Sequence, residues 1–174
     1  MVEIICISGL VGSGKDTVSD IVANKLGFNR VKLSFKDVAK QMGISLMEYH
    51  AYVEKDLTID KQFDKMVIKE ARKQNSVIST WLGPWLINDA VLKIWLNASE
   101  ETRAERISNR DQMGKIKALK HVKERDRHNR GRYLALYAID ILYHSGFDLE
   151  INTEHFNPEQ IAEIIVAAYN SKKK

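Results

Sequence analysis

Nine consecutive residues, Gly9-Leu10-Val11-Gly12-Ser13-Gly14-Lys15-Asp16-Thr17, combine three glycines, one lysine and several oxygen-bearing side chains in an order suited to holding a polyphosphate. Glycine admits backbone conformations closed to other residues, so successive N–H groups of such a loop converge on an anion. A helix beginning at the lysine adds the positive end of its dipole, and Lys15 brings a full charge within reach of β- and γ-phosphates. The common form of this loop places Ser or Thr directly after the lysine, where its hydroxyl holds Mg²⁺. Here Asp16 intervenes and Thr17 follows; either side chain could reach the metal or a water bound to it. Thr17 is assigned to the metal, with Asp16 in its outer shell. Gly9, Gly12 and Gly14 do not satisfy the dinucleotide pattern G-x-G-x-x-G, and the lysine favours a triphosphate. The expected ligand is ATP with Mg²⁺, held by residues 9–17.

A second constellation is arginine-rich. Between Glu101 and Arg132 eleven basic residues face five acidic ones, and Lys172 to Lys174 close the chain, so the net charge of +4 conceals an otherwise acidic body. Arg103, Arg106 and Arg110 follow i, i+3, i+7 spacing and project from one helix face. Arg125, Arg130 and Arg132 could return from a second arm. In kinases of small substrates, arginines from a mobile lid hold the transferring phosphoryl group, because catalysis there rests on positioning and charge stabilisation. Arg106, Arg110, Arg125 and Arg132, with Lys15, are the candidate catalytic residues; most lysines of the segment read as a solvated face. No Asn-Lys-x-Asp for reading guanine is present. Motors and helicases are usually longer and end a strand in acidic residues, which Val77 to Thr80 lacks.

These groups need a scaffold. Ile4 to Ser8 is a short apolar run of the kind covered on both faces. Val18, Ile21, Val22 and Leu26 then mark a helix that Gly27 stops. Further strands are expected at Val31 to Ser34, Val77 to Thr80, Val91 to Leu96 and Phe147 to Asn152, with Gly83-Pro84 as a breaker between two of them. Residues 35–73 read as helical, broken around Gly43 and near Asp56 to Thr58. Helical texture returns from Ser99 to about Tyr143, interrupted near Met113-Gly114. Asn157-Pro158-Glu159-Gln160 is an N-cap, a first-turn proline and a capping-box glutamine ahead of an apolar stripe. Strands alternating with helices imply an α/β fold with a five-stranded parallel sheet and helices on both faces. The ligand then lies beyond the strands' carboxyl ends.

At 174 residues the chain favours one domain, 1–174, large enough for a core without disulfide or metal staples. Its single cysteine, Cys6, lies in the first apolar run and reads as a small buried hydrophobe. Neither a membrane span nor a secretory leader is expected, and a cytoplasmic protein follows.

Gly9 to Thr17, Leu92 to Ala98, Arg103 to Ile107, Arg125 to Tyr133 with Tyr137, Ile139 and Asp140, and the closing Ile151-Asn152-Thr153 resemble the archaeal-type cytidylate kinases of the P-loop nucleoside monophosphate kinase superfamily. Gly43 to Leu46 and Ile59-Asp60 fit the same family's substrate-side helices. The resemblance runs nearly end to end. It implies a P-loop kinase fold with a helical acceptor-binding insertion, about 35–73, and a short lid, about 106–132. It also implies phosphoryl transfer from ATP to a CMP- or dCMP-like acceptor, with Arg106, Arg110, Arg125 and Arg132 on basic lid positions.

The acceptor side departs from that pattern. The family carries one arginine shortly after a Glu-Gly pair ending the third strand and another after a phenylalanine in the first insertion helix; both grip the acceptor phosphate. Here the pair falls on Ser79-Thr80, the first arginine on Trp81 and the second on Lys36. Lysine keeps the charge but loses the bidentate fork, and tryptophan loses both. Trp81 is open to three readings: core packing, a stacking surface for a base, or the wall of a site for a different phosphorylated metabolite. Lys36, Asp37 and Trp81 are the candidate substrate residues. Asp37, Tyr49, His50 and Asp60 are read first as surface, and Trp85 as structural. Two alternatives to a nucleotide kinase stay open. One is a kinase of a non-nucleotide phosphorylated metabolite; the other is an ATP-switched RNA-processing factor. The latter is disfavoured by a basic segment without interleaved aromatics before Tyr133. No membrane or nucleic-acid partner is expected, and the chain reads as a monomer or weak dimer.

Overall fold

The computed structural model describes residues 2–33, 35–45, 48 and 58–173. β1 (Ile4–Ser8) leads into α1 (Lys15–Leu26), β2 (Asn29–Val31) and α2 (Phe35–Gln41). After α3 (Thr58–Ala71) come β3 (Ser76–Ser79), a single turn α4 (Gly83–Leu86) and β4 (Leu92–Asn97). α5 (Glu100–Asp111), α6 (Lys115–Tyr137), β5 (Leu149–Asn152) and α7 (Pro158–Lys172) complete the order. The five strands form one parallel sheet in the order β2-β3-β1-β4-β5. Central β1 pairs with β3 on one side and β4 on the other, so Ile5 lies between Val77 and Leu92.

Side chains alternate across a strand, and β1 divides its residues accordingly. Ile5 and Ile7 join Val18 and Val22 of α1 and Ile161, Ile165 and Tyr169 of α7. Ile4 and Cys6 face Val67 and Ala71 of α3 and Ile87 beyond α4. All five β1 residues are buried, the pattern of a strand covered on both faces. Burial pushes the Cys6 thiol up to about 12, which keeps it a neutral packing group.

β1, β3, β4 and β5 match the expected runs with edges shifted by no more than two residues, β5 starting at Leu149, two residues late; β2, at Asn29–Val31, shares only Val31 with the expected run Val31 to Ser34. Gly83-Pro84 lies between β3 and β4 as expected and opens the turn α4, where a proline in the first helical turn gives up no needed N–H. One expectation is corrected. The helix expected to run to about Tyr143 ends at Tyr137, where Ala138 takes a left-handed conformation and its N–H caps Leu134 O. The capping box is present as read: Asn157 accepts from Gln160 N while Gln160 accepts from Asn157 N. The helical reading of 35–73 holds at both ends, in α2 and α3. Tyr49, His50 and the break near 56–57 lie outside the described residues.

Candidate functional site

The glycine loop leaves β1 at the point where the sheet order reverses, the usual ligand position in such a sheet. Two of its glycines are required sterically. Gly9 has φ +155°, and a Cβ there would lie 2.5 Å from Leu96 O and from Ser13 Oγ. Gly12 has φ +80°, and a Cβ would meet Arg103 O at 2.7 Å.

α5 and α6 hold this loop from behind. Arg103 is 3% exposed; it donates to Val11 O at 3.0 Å, to Ala98 O at 3.1 Å and to Asp126 Oδ2 at 2.6 Å. Asp126 in turn accepts from Val11 N at 3.4 Å. Burial raises the Asp126 carboxyl and the Arg103 charge opposes that rise. Arg103 therefore braces the loop, although it shares the helical face of Arg106 and Arg110. Arg106 donates to the Gly12 and Ser13 carbonyls at 3.3 and 3.4 Å and to Thr153 Oγ1 and O at 2.9 and 2.8 Å. It ties the loop to the end of β5, and burial lowers its pKa.

Two cavities open beside the loop. The first, about 560 Å³, is walled by residues 11–18 of the loop and α1, by Arg106, Arg110 and Arg125, and by Thr153, Phe156, Pro158 and Ile161. Its lining combines the loop, Lys15 and three arginines with the apolar Phe156, Pro158 and Ile161. Gly9 and Leu10, expected with the rest of the loop, are not among its lining residues. The second cavity, about 420 Å³, lies over the ends of β2 and β3. Trp81, Tyr133 and Phe63 give it aromatic sides; Asp60, Asp64 and Arg132 give it charge; Arg125 lines both cavities.

α6 serves both. Residues 122, 126, 129 and 133, with 125 and 132 beside them, fall on one side of the helix at spacings of three and four. Thus Val122 packs under the loop, Asp126 holds Val11, and Arg125, Asn129, Arg132 and Tyr133 reach the second cavity. Arg125 has no hydrogen bond or ion pair among the described residues, whereas Arg110 is engaged by its neighbour Asp111 at 2.6 and 2.8 Å.

Arg132 is paired with Asp60, its Nε 2.6 Å from Oδ2. Asp60, read from sequence as surface, is instead 4% exposed, and its charge is neutralised by that pair. One helical turn on, Asp64 accepts from Tyr137 Oη at 2.6 Å. Burial pushes the Asp64 carboxyl up to about 6, the Tyr137 bond opposing and the Asp60 charge adding to the shift.

Trp81 joins the two cavities. Its carbonyl accepts from the buried Ser8 Oγ at 2.8 Å, its ring lies 6.3 Å from that of Tyr133, and the Lys15 ammonium sits 5.3 Å from its centroid. Burial lowers the Lys15 pKa, with Arg125 and Arg110 acting in the same sense and Asp16 and Asp126 against it. Trp81 also packs on the cluster around Val11, so it is both packing and cavity wall. Trp85 packs edge-on against Trp95 and Phe147, away from both cavities.

Asp16 and Thr17 line the first cavity, and Ser79 Oγ donates to Asp16 Oδ1 at 2.6 Å. These oxygen donors suit a hard cation such as Mg²⁺, which takes few protein ligands and completes its shell with phosphates and water. Asp37 stands exposed in the first turn of α2 and lines neither cavity. Lys36 belongs to α2, and its side chain lies outside what the structure describes. From sequence alone no role falls to Asp126, Asp64 or Asn129; Thr153 and Tyr137 enter only within the resemblance, and Tyr133 otherwise only as the first aromatic of the basic segment.

Parallel order, glycine loop and paired cavities define a kinase of the P-loop fold. A shikimate kinase from Acinetobacter baumannii has the same fold, at TM-score 0.66 and 16% identity over 99% of this chain and 96% of that one. A deoxyadenosine kinase from M. mycoides superposes at TM-score 0.52 and 20% identity over 97% and 99%. The sequence model of the Cytidylate kinase-like family matches residues 4–155. The cytidylate kinase of Thermococcus kodakarensis is 40% identical over 167 residues, 95% of this chain and 86% of that protein. That of Sulfurisphaera tokodaii is 39% identical over 171 residues, 96% and 95%. The chain belongs to the cytidylate kinase-like family.

Proposed function

We propose that this kinase transfers the γ-phosphoryl group of ATP to the phosphate of a nucleoside monophosphate of the CMP type. Arg125 carries the proposal: it is an uncommitted cation that borders both cavities, where a phosphoryl group in transit would pass. An oxygen of the acceptor phosphate attacks the γ-phosphorus, the bond to the β–γ bridging oxygen breaks, and ADP leaves with the electron pair. The acceptor is already an anion, so no general base is required. Lys15 and the loop N–H groups hold the β- and γ-phosphates, Arg106 and Phe156 flank the donor base, and Arg110 and Arg125 meet the equatorial oxygens. Asp16 and Thr17 would hold Mg²⁺ at the loop, where it would supply further charge neutralisation. Residues 35–73 serve as the acceptor insertion and about 106–132 as the lid. Trp81 and Tyr133 stack on the acceptor base, and the Asp60–Arg132 pair with Asp64 presents both acceptors and donors to its edge.

A thermal-shift panel tests this. A nonhydrolysable ATP analogue with CMP or dCMP raises the melting temperature above the analogue alone, as linkage requires. Equal shifts with every monophosphate, or none, would remove the CMP-type acceptor.

Trp81 favours a second reading, a non-nucleotide phosphorylated metabolite, because it stands where the family resemblance places a phosphate-gripping arginine. Trp81→Arg distinguishes the two by raising CMP turnover under the second and leaving it unimproved under the first. An RNA-processing role draws little support from α6, where Lys115, Lys120 and Lys123 are paired with Glu105, Glu124 and Glu100.

A further inference from the structure

Phosphate-loop enzymes commonly hold Mg²⁺ between a hydroxyl on the residue after the loop lysine and a carboxylate at the end of a neighbouring strand. This chain departs at both places at once. Asp16 follows Lys15, and β3, one of the two strands paired with β1, ends in Ser79. The two side chains meet: Ser79 Oγ donates to Asp16 Oδ1 at 2.6 Å. Arg30 donates to the same oxygen at 3.3 Å while its other nitrogens are committed to Asp20 Oδ1 at 2.9 Å and Val31 O at 2.6 Å. Among the described residues no hydrogen bond falls on Asp16 Oδ2, the side chain is 74% exposed, and Asp16 lines the donor cavity.

We propose that the two groups have exchanged elements: Asp16, from α1, supplies the carboxylate of the donor's Mg²⁺ site, and Ser79, from β3, supplies the hydroxyl that orients it. Oδ1 is the tethered oxygen and Oδ2 the metal-facing one. Thr17, beside them, is then not the principal ligand. The exchange conserves the chemistry of the corner, one carboxylate and one hydroxyl beside the β- and γ-phosphates, which is why a change that removes the usual hydroxyl is tolerated. It also has an electrostatic signature. An aspartate beside a polyphosphate repels it unless a cation lies between them, so the same carboxylate weakens metal-free nucleotide and strengthens the metal complex.

This inference rests on the reading of the loop as the ATP site. Binding of a nonhydrolysable ATP analogue, measured by calorimetry in Mg²⁺ and in EDTA, separates the two. Absence of binding by the unaltered protein in either condition would remove the ATP site itself. Given binding, Asp16→Asn should weaken the Mg²⁺ complex by about tenfold or more and leave metal-free binding equal or tighter. Mn²⁺ titrated into the protein–analogue complex and followed by electron paramagnetic resonance should show the same loss, about tenfold. Ser79→Ala should lose a few-fold, and Thr17→Val less than about threefold. The exchange Asp16→Ser/Ser79→Asp should recover Mn²⁺ affinity to within about threefold of the unaltered chain. If that double variant does not fold, as circular dichroism reports, the opposite signs for Asp16→Asn in Mg²⁺ and EDTA decide alone. Asp16→Asn lowering both affinities alike or neither, or Thr17→Val carrying the loss, would overturn the proposal.

Discussion

The ammonium of Lys15 rests 5.3 Å from the centre of the Trp81 ring, so the cation of the nucleotide loop leans on the aromatic wall of the neighbouring cavity. Trp81 is fixed by Ser8 at its carbonyl and by Tyr133 at its ring. The contact stabilises the nucleotide-free protein, since a bound triphosphate offers Lys15 a stronger partner than a π face.

Trp81→Leu should therefore act oppositely on the two substrates. The acceptor KM rises about tenfold with loss of the stacking surface, while ATP affinity stays level or improves up to a few-fold. Steady-state kinetics and calorimetry on one preparation measure both. A loss of ATP affinity with an unchanged acceptor KM would reverse the assignment.

Arg103 is a brace, and its removal should be felt in stability. Arg103→Met strands the half-buried Asp126 and frees the Val11 carbonyl. Urea unfolding should show a loss of about 3–5 kcal/mol, the range for breaking a buried ion pair. A loss below about 1 kcal/mol would mean that the loop is held elsewhere.

Arg125 should show the converse. It is exposed and has no partner among the described residues, so Arg125→Ala should leave the unfolding free energy within about 0.5 kcal/mol. Turnover should fall by about 10²–10³-fold. Comparable losses in both measurements would make Arg125 structural.

Asp64 gives a pH dependence. Burial raises its carboxyl to about 6, above its value in the unfolded chain, so the native state binds the extra proton between those values. The stability this contributes is complete at low pH and is lost as pH rises through about 6. Asp64→Asn, which keeps an acceptor for Tyr137, should thus gain in melting temperature relative to the unaltered protein between pH 5 and 7.5. A difference that is flat or falls with pH would contradict the burial of Asp64.

The parts of this site that are contiguous in sequence were readable from it. Loop, first helix and terminal capping box are local patterns in which glycine geometry, helix termini and side-chain caps dictate conformation. The parallel sheet followed from the alternation of apolar runs with helical periodicity. What escaped was assembled over distance. Asp60 and Arg132 are 72 residues apart, and an aspartate in the first turn of a helix reads as surface until its partner is known. Arg103 has the same type and helical face as Arg106, yet its place in the first turn sets it under the loop, where Ala98, Val11 and Asp126 absorb its donors. Trp81 was open between packing and binding because it does both: one site is made partly from the packing that supports the other.

Phosphoryl transfer from ATP to a CMP-type monophosphate through Lys15 and Arg125 is the reaction proposed. Coupled ADP release over CMP, dCMP, UMP and AMP, with Lys15→Ala alongside, tests it most directly. Turnover is expected with CMP or dCMP above UMP and AMP, reduced about 10²–10³-fold in Lys15→Ala. No turnover above background with any of the four, or turnover indifferent to Lys15, would contradict it.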